Sequence, residues 1–349
     1  MILRGIGFEC QEDGGMVRWG LIGASDIAET RMIPAINGLE DSEVVAVVSS
    51  SAERAMDYAR RNSIPVAHET IDSLLADPGI DAVYISTTNE HHEDQARAAA
   101  GAGKHVLCEK PLALTVAGAL LIESTCASAG VVLGTNHHLR NASTHRTAQR
   151  LIREGQIGVP LAARVFHAVY LPERLQGWRL SKPESGGGVV LDITVHDADT
   201  LRFVLDDDPV EVTAMTTSQG LAKAGLADGI MGVIRGKSGL LAQFHDAFTI
   251  GHTPTGFEVH GTEGSIFISE AMTQGPDGEV HLQRGNATEL VDIGPVEDLY
   301  TRSVRSFNEA VRGEGTPAAS GRDGVWSLAL ALAARDSAVS SQTVPVIVP

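Results

Sequence analysis

Lys110 stands where chemistry can be done. It lies in Cys108-Glu109-Lys110-Pro111, directly after the β-like run Lys104-His105-Val106-Leu107. The carboxyl end of a strand in an open α/β sheet is where such sheets bind and transform ligands. A residue ahead of proline is biased away from helical backbone, so this turn is expected to hold the ammonium over the strand end. There it can polarise a carbonyl; a solvated loop lysine is the plainer alternative. A second cluster is Asp192-Ile193-Thr194-Val195-His196-Asp197. Asp192 and His196 are spaced i, i+4 in a helical run over 189–205, which predicts one shared face beside the apolar stripe of Leu191, Val195 and Ala198. His196 titrates near neutrality and can move a proton, while Asp192 can orient it or bind a sugar hydroxyl. Alone, the two residues describe an ordinary helical ion pair. The preceding Gly186-Gly187-Gly188, which lets backbone approach another group closely, favours the functional reading. Together with Lys110 they predict a nicotinamide-dependent reductase acting on a carbonyl.

Such chemistry needs a cofactor site. Gly23-Ala24-Ser25-Asp26-Ile27-Ala28 occupies the G-x-G-x-x-G/A slot, matching at Gly23 and Ala28 and replacing the middle glycine with Ser25. A pyrophosphate would lie on the amino end of a helix over 26–37. Ser25 can donate a hydrogen bond to it, whereas Asp26 adds negative charge. A plain strand–turn–helix connection with Asp26 as N-cap fits the same residues. The next strand, 44–48, ends in Ser49-Ser50-Ser51-Ala52-Glu53-Arg54. NAD sites carry an acidic residue at this strand end; here Ser49 takes the place. Ser49, Ser50 and Arg54 suit a 2′-phosphate and predict NADP(H), and Ser50 or Ser51 can also cap the next helix. After the strand 82–85, Thr87, Thr88 and Asn89 offer small polar groups to ribose and nicotinamide, and His92 on the first helical turn is counted with them at the cofactor, although local packing or hydrogen bonding fits it too. The adjacent histidines His91-His92 and His137-His138 diverge and lack metal-ligand spacing, so no metal is expected. Trp178-Arg179 places an aromatic face beside a cation, fit to hold a sugar or cofactor amide, or equally to anchor an interface.

The elements that must position these groups follow from periodicity. Strand runs at 17–22, 44–48, 82–85, 105–107 and 131–133 alternate with helical patterns at 26–37, 52–61, 70–76, 90–102 and 115–129. This predicts a parallel, doubly covered sheet over residues 16–138. From 139 to 349 the pattern changes. Helices are expected over 141–154, 187–205 and 323–339, and β runs over 159–170, 210–218, 229–235, 239–250, 256–261 and 264–268. The fold class is therefore α/β: an amino-terminal dinucleotide-binding domain followed by an α+β domain with a large, open, mostly antiparallel sheet.

In a chain of 349 residues, 43% are apolar and 20% charged, as in an ordinary globular protein with a sizeable core. The formal charge, 27 − 44 = −17, argues against nucleic acid and anionic membrane as partners. Three cysteines without a CxxC pair fit reduced thiols and a cytoplasmic setting. Residues 1–15 lack the apolar core of a signal peptide and are expected to form a poorly ordered extension. Oligomeric state stays open, because an antiparallel sheet can leave one face in water.

The turn at 20–28, Thr87–His92, Glu109-Lys110-Pro111 and Asp192-x-x-x-His196-Asp197 together resemble the family of glucose–fructose oxidoreductase, inositol dehydrogenase and MocA, over nearly all of residues 17–345. The stretches Val131–Asn141, Arg164–Pro172, Gln176–Leu180 and Leu191–Asp199 are similar to the branch of that family that reduces 1,5-anhydro-D-fructose. The resemblance implies an amino-terminal Rossmann domain, NADPH, and hydride delivery to the C2 carbonyl of that sugar, giving 1,5-anhydro-D-mannitol. By the same resemblance, Lys110 and His196 work at the carbonyl oxygen, His196 as proton donor, and Asp192 helps hold substrate. Trp178 and Arg179 lie against the cofactor, with Glu109, Asn136 and Tyr300 beside it. Asp26 departs from the uncharged residue expected at its position. Two alternatives stay open: another NAD(P)-dependent sugar or inositol dehydrogenase of the family, and a non-catalytic NADP-binding regulator, which the presence of Lys110 and His196 disfavours.

Overall fold

Strands β1 (Val17–Ile22), β2 (Ser42–Val48), β3 (Val66–His68), β4 (Ala82–Ile85), β5 (His105–Cys108) and β6 (Leu133–Thr135) form a parallel sheet in the order β3-β2-β1-β4-β5-β6. The computed structural model describes residues 15–275 and 278–349; the expected extension lies, save Gly15, outside the described residues. Strand order reverses between β1 and β4, which opens a crevice at their carboxyl ends. The apolar runs expected to be buried on both faces are so: Trp19, Leu21, Val47, Val83 and Tyr84 are inaccessible to solvent. The expected helix over 26–37 begins at Asp26, passes through a π-helical turn at Ala28–Met32 and continues as α1 (Ile33–Asn37). Ser51 caps α2 (Ala52–Arg61), Thr70 caps α3 (Ile71–Leu75), and Thr115 caps α5 (Val116–Ala129). Between them α4 (His92–Gly101) follows a short 3-10 turn.

After α6 (Ser143–Arg153), a nine-stranded sheet is built from β7 (Pro160–Ala168), β8 (Pro209–Thr217), β9 (Gly229–Gly236), β10 (Leu241–Ala247), β11 (Gly256–Gly261), β12 (Ser265–Ser269), β13 (Glu279–Arg284), β14 (Ala287–Val291) and β15 (Val344–Pro345). Its order is β14-β13-β12-β11-β7-β10-β9-β8-β15, antiparallel throughout except between β7 and β10. One face is packed by helices, including α7 (Val195–Leu205), which follows a π-helical turn at Val190–Thr194. The other face exposes Met215, Met231, Val233 and Leu241.

The structure departs from sequence expectation in several places. β6 starts two residues later than the run 131–133, because its pairing with β5 sets the register Val106 to Leu133. β3, β13, β14 and β15 have no counterpart among the expected strands, nor has α8 (Leu299–Val311) among the expected helices. Asp298 caps α8 by accepting from the amides of Tyr300 and Thr301. α8 returns to the first sheet, where the Phe307 ring lies 5.1 Å from that of Trp19. α9 (Gly321–Ser340) also packs against β6. Gly324 permits this approach, since a Cβ there would meet Thr135 Oγ1 at 2.3 Å. Among the described residues, no helix is long and apolar enough to cross a membrane.

Candidate active site

The Lys110 ammonium leaves the turn after β5, where the Lys110–Pro111 peptide is cis. Nζ donates to the Asp192 main-chain oxygen at 2.7 Å and to Asp192 Oδ1 at 3.0 Å. Arg179 Nε lies 3.2 Å from the other carboxylate oxygen, and its guanidinium sits 4.8 Å from the Trp178 ring centroid. Trp178, Arg179, Asp192 and Lys110 thus form one chain of contacts from the second sheet's loops to the end of β5. Burial opposes ionisation of Asp192, but Lys110 and Arg179 outweigh it and hold the carboxyl well below the usual range. An ammonium has three donors. Two are taken by Asp192, which leaves one for a substrate oxygen.

His196 follows Asp192 by one helical turn, yet the expected pairing of the two does not form, because Lys110 and Arg179 occupy the Asp192 carboxylate. His196 instead packs among histidines. Its ring centroid is 5.0 Å from His138 and 6.1 Å from His167. Burial pushes its pKa well below the ordinary value, and the Lys110 charge adds to the effect. Its Nδ1 is buried without a hydrogen-bond partner among the described residues. The imidazole is therefore neutral, and the cations of the site are the Lys110 ammonium and the Arg179 guanidinium on Asp192.

The cofactor crevice lies at the ends of β1 and β4. Gly23 adopts φ +115°, and a Cβ there would press on the Ser86 backbone at 3.0 Å, so the turn needs glycine. Ser25, not Asp26, caps the following helix: its Oγ accepts from the Ala28 amide at 3.2 Å and donates to Ser86 Oγ at 2.7 Å. Asp26 is exposed and meets Arg174 at 3.2 Å, which offsets its charge. The amides of Ser25, Asp26 and Ile27 find no acceptor among the described residues, as a site for a cofactor pyrophosphate requires. Ala28 is buried and lets the helix sit close to the sheet. Arg54 reaches this turn, donating from Nη2 to the Ala24 carbonyl at 2.8 Å. Ser49, half-buried, and Ser50, exposed, stand just beyond the end of β2. On the β4 side, Thr87 and Thr88 are half-buried, and Thr87 Oγ1 donates to Gln95 at 2.7 Å.

Several residues expected at the cofactor make internal contacts in the structure. His92 is fully buried, with Nδ1 2.8 Å from the Pro111 carbonyl and Nε2 3.2 Å from that of Thr87; it ties two loops together and has no ring nitrogen left for a cofactor. Asn89 is buried against Gly186, whose positive φ and lack of Cβ admit the Asn89 amide. Asn136 is buried too: Nδ2 donates to Glu109 Oε1 at 2.7 Å and Oδ1 accepts from Ser303 at 3.1 Å. Glu109 Oε1 also accepts from the Tyr84 hydroxyl at 2.5 Å. Tyr300 is buried on α8 and stacks on His138, centroids 4.9 Å apart. Sequence reasoning gives no role to Ser86, His138, His167 or Asp246. For His167 a signal exists, since it continues the buried side of β7 after Ala163 and Val165.

Residues 17–137 match the model described as an oxidoreductase family with an NAD-binding Rossmann fold, and residues 145–267 match the GFO/IDH/MocA C-terminal domain. The chain belongs to this oxidoreductase family. It is 55% identical to 1,5-anhydro-D-fructose reductase of Ensifer adhaerens, over 94% of this chain and 98% of that one. It is 28% identical to myo-inositol 2-dehydrogenase of Thermotoga maritima, over 95% and 97% of the two chains. Among solved structures, aldose–aldose oxidoreductase from Caulobacter crescentus superposes with a TM-score of 0.86 at 25% identity, covering 94% of this chain and 99% of that one. A 3-ketoreductase from Actinomadura kijaniata, in complex with NADP, superposes with a TM-score of 0.81 at 25% identity, covering 92% and 97%.

Proposed function

We propose that this oxidoreductase uses NADPH to reduce the C2 carbonyl of 1,5-anhydro-D-fructose, giving 1,5-anhydro-D-mannitol, in the cytoplasm. The observation that carries the reading is the Lys110–Asp192 contact at the mouth of the crevice, in a chain 55% identical to a reductase of that sugar. The bound cofactor would supply hydride to C2. Lys110 turns its remaining N–H toward the carbonyl oxygen and stabilises the negative charge that develops there. His196, a neutral imidazole, relays the proton that completes the alcohol: one ring nitrogen gives its proton to the alkoxide while the other takes one up, the proton coming in the end from solvent. Asp192 fixes Lys110 and accepts from sugar hydroxyls, and Arg179 with Trp178 closes the crevice. Arg54, held at the phosphate turn, supports a 2′-phosphate, and the free, buried thiols of Cys108 and Cys126 fit a reducing compartment.

The test is oxidation of NADPH with 1,5-anhydro-D-fructose, run beside NADH. Turnover with NADPH and at least tenfold less kcat/KM with NADH, about 1.4 kcal/mol of discrimination, supports both substrate and cofactor. Turnover with NADH alone overturns the cofactor reading; tight NADPH binding without turnover points to another keto-sugar or to a sensing role.

A further inference from the structure

Asp197 and Asp246 take no part in the reaction as described, yet both are fully buried beside it. Asp246 lies on β10 directly opposite His167 on the parallel strand β7, and Asp197 comes down on them from α7. His167 Nδ1 is 2.8 Å from Asp197 Oδ1, and Thr194 Oγ1 donates to Asp246 Oδ2 at 2.6 Å. Asp197 contacts the His167 ring and Asp246 is register-paired with His167, so the two buried carboxyls are neighbours, and each acts on the ionisation of the other. Their remaining oxygens, Asp197 Oδ2 and Asp246 Oδ1, are buried with no partner among the described residues. Two neighbouring carboxylates cannot both stay ionised away from water, and two acceptors without a donor leave both unsatisfied. A single proton between them removes both penalties.

We infer that Asp197 and Asp246 share one proton at neutral pH and act as a positioning pair that fixes the tautomer of His167 in the candidate active site. The remaining negative charge rests on Asp197 and accepts the His167 Nδ1–H, which leaves Nε2 as an acceptor. Burial pushes the Asp197 carboxyl up to about 7 and Asp246 well above the usual range. Burial also pushes His167 down to about 4, so the ring stays neutral. The other charged or titratable groups that face this cluster are Lys110 and Asp192, which act on His167, His196, whose ring lies 6.1 Å from it, and the neutral, buried imidazoles of His138 and His145, which His167 acts on. When the shared proton leaves at alkaline pH, the carboxylates repel and His167 loses its fixed orientation.

The inference rests on the reading of Lys110, Asp192 and His196 as the site, so its primary test needs no turnover. Infrared difference spectra of the full protein between neutral and alkaline pH should show the carbonyl stretch of one protonated buried carboxyl, lost as pH rises. The band should be absent from both Asp246→Asn and Asp197→Asn. A wild-type spectrum without it, or one unchanged in either variant, overturns the shared proton. The kinetic arm compares two changes at one position. Asp246→Ala should lower kcat/KM about tenfold or more. Asp246→Asn, whose amide N–H replaces the shared proton, should recover most of that loss and remove the alkaline limb of the pH profile. An alkaline limb identical in Asp246→Asn and wild type contradicts the positioning role, even where the band is present.

Discussion

Lys110 Nζ donates to both the main-chain oxygen and the carboxylate of Asp192, at 2.7 and 3.0 Å, across 82 residues of sequence. This contact joins the end of β5, in the parallel sheet, to the π-helical turn that leads into α7. Both side chains are about nine-tenths buried, 11% and 12% exposed. It therefore does two things: it points a cation into the crevice, and it ties the second unit to the first where the cofactor and sugar would meet.

Removing the cation should damage chemistry more than binding. Lys110→Met is expected to lower kcat by about 10²–10³-fold, the usual effect of losing a donor to a developing oxyanion, with a smaller change in KM for NADPH. Steady-state kinetics and NADPH fluorescence titration measure the two separately. A change confined to KM would assign Lys110 to binding alone.

Arg54 is the test of cofactor choice. Its guanidinium is anchored on the Ala24 carbonyl at 2.8 Å, within the turn that would cradle phosphate. Arg54→Ala should raise KM for NADPH about tenfold, a loss of about 1.4 kcal/mol, and leave KM for NADH nearly unchanged. Equal effects on both cofactors would mean that Arg54 only shapes the turn.

Stability should fall on mild acidification. His138 is pushed down to about 3, and His145 and His167 each to about 4, in every case first by burial. Their folded values lie below the unfolded value near 6.5, so the unfolded chain binds more protons. The stability they allow is complete above about pH 6.5 and is lost as pH falls through the folded values. Each imidazole steepens the loss by up to about 1.4 kcal/mol per pH unit. Urea midpoints measured from neutral pH down to about pH 5 should decline before the ordinary carboxylates titrate, with Asp197 and Asp246, whose folded values lie above the unfolded ones, offsetting part of the loss; a flat profile would contradict neutral, buried histidines.

The return of α8 onto the first sheet should be worth a large share of stability. Phe307 is fully buried against Trp19. Phe307→Ala should cost about 3–5 kcal/mol by thermal or urea denaturation. A loss below about 1 kcal/mol would show that α8 docks without supporting the parallel sheet.

Much of the parallel sheet and of the site is legible in the amino-acid sequence. Continuous apolar runs such as Val44–Val48 announce buried parallel strands, because a strand covered on both faces has no polar side. Lys110 and Asp192 are each recognisable by type and place. Their contact is not, since nothing in local sequence relates residues 82 apart. Asp26 reads as the cap of the first helix, but Ser25 takes that role and frees Asp26 to meet Arg174. α8 carries a subtler signal: Asp298 as cap, then Leu299, Val304, Phe307 and Val311 at helical spacing. The hairpin of β13 and β14 carries another in Gly285-Asn286 between two short alternating runs. Burial of Asn136 is beyond sequence, because Glu109 and Ser303 of α8 enclose it only in the folded chain.

The most direct test of the central claim follows one atom. The protein is given NADPH deuterated at the transferable C4 position together with 1,5-anhydro-D-fructose, and the product is analysed by NMR. The account requires 1,5-anhydro-D-mannitol with deuterium at C2, and loss of this product in Lys110→Met. Label at another carbon, the C2 epimer as the main product, or unlabelled alcohol would contradict hydride transfer to the C2 carbonyl at this site.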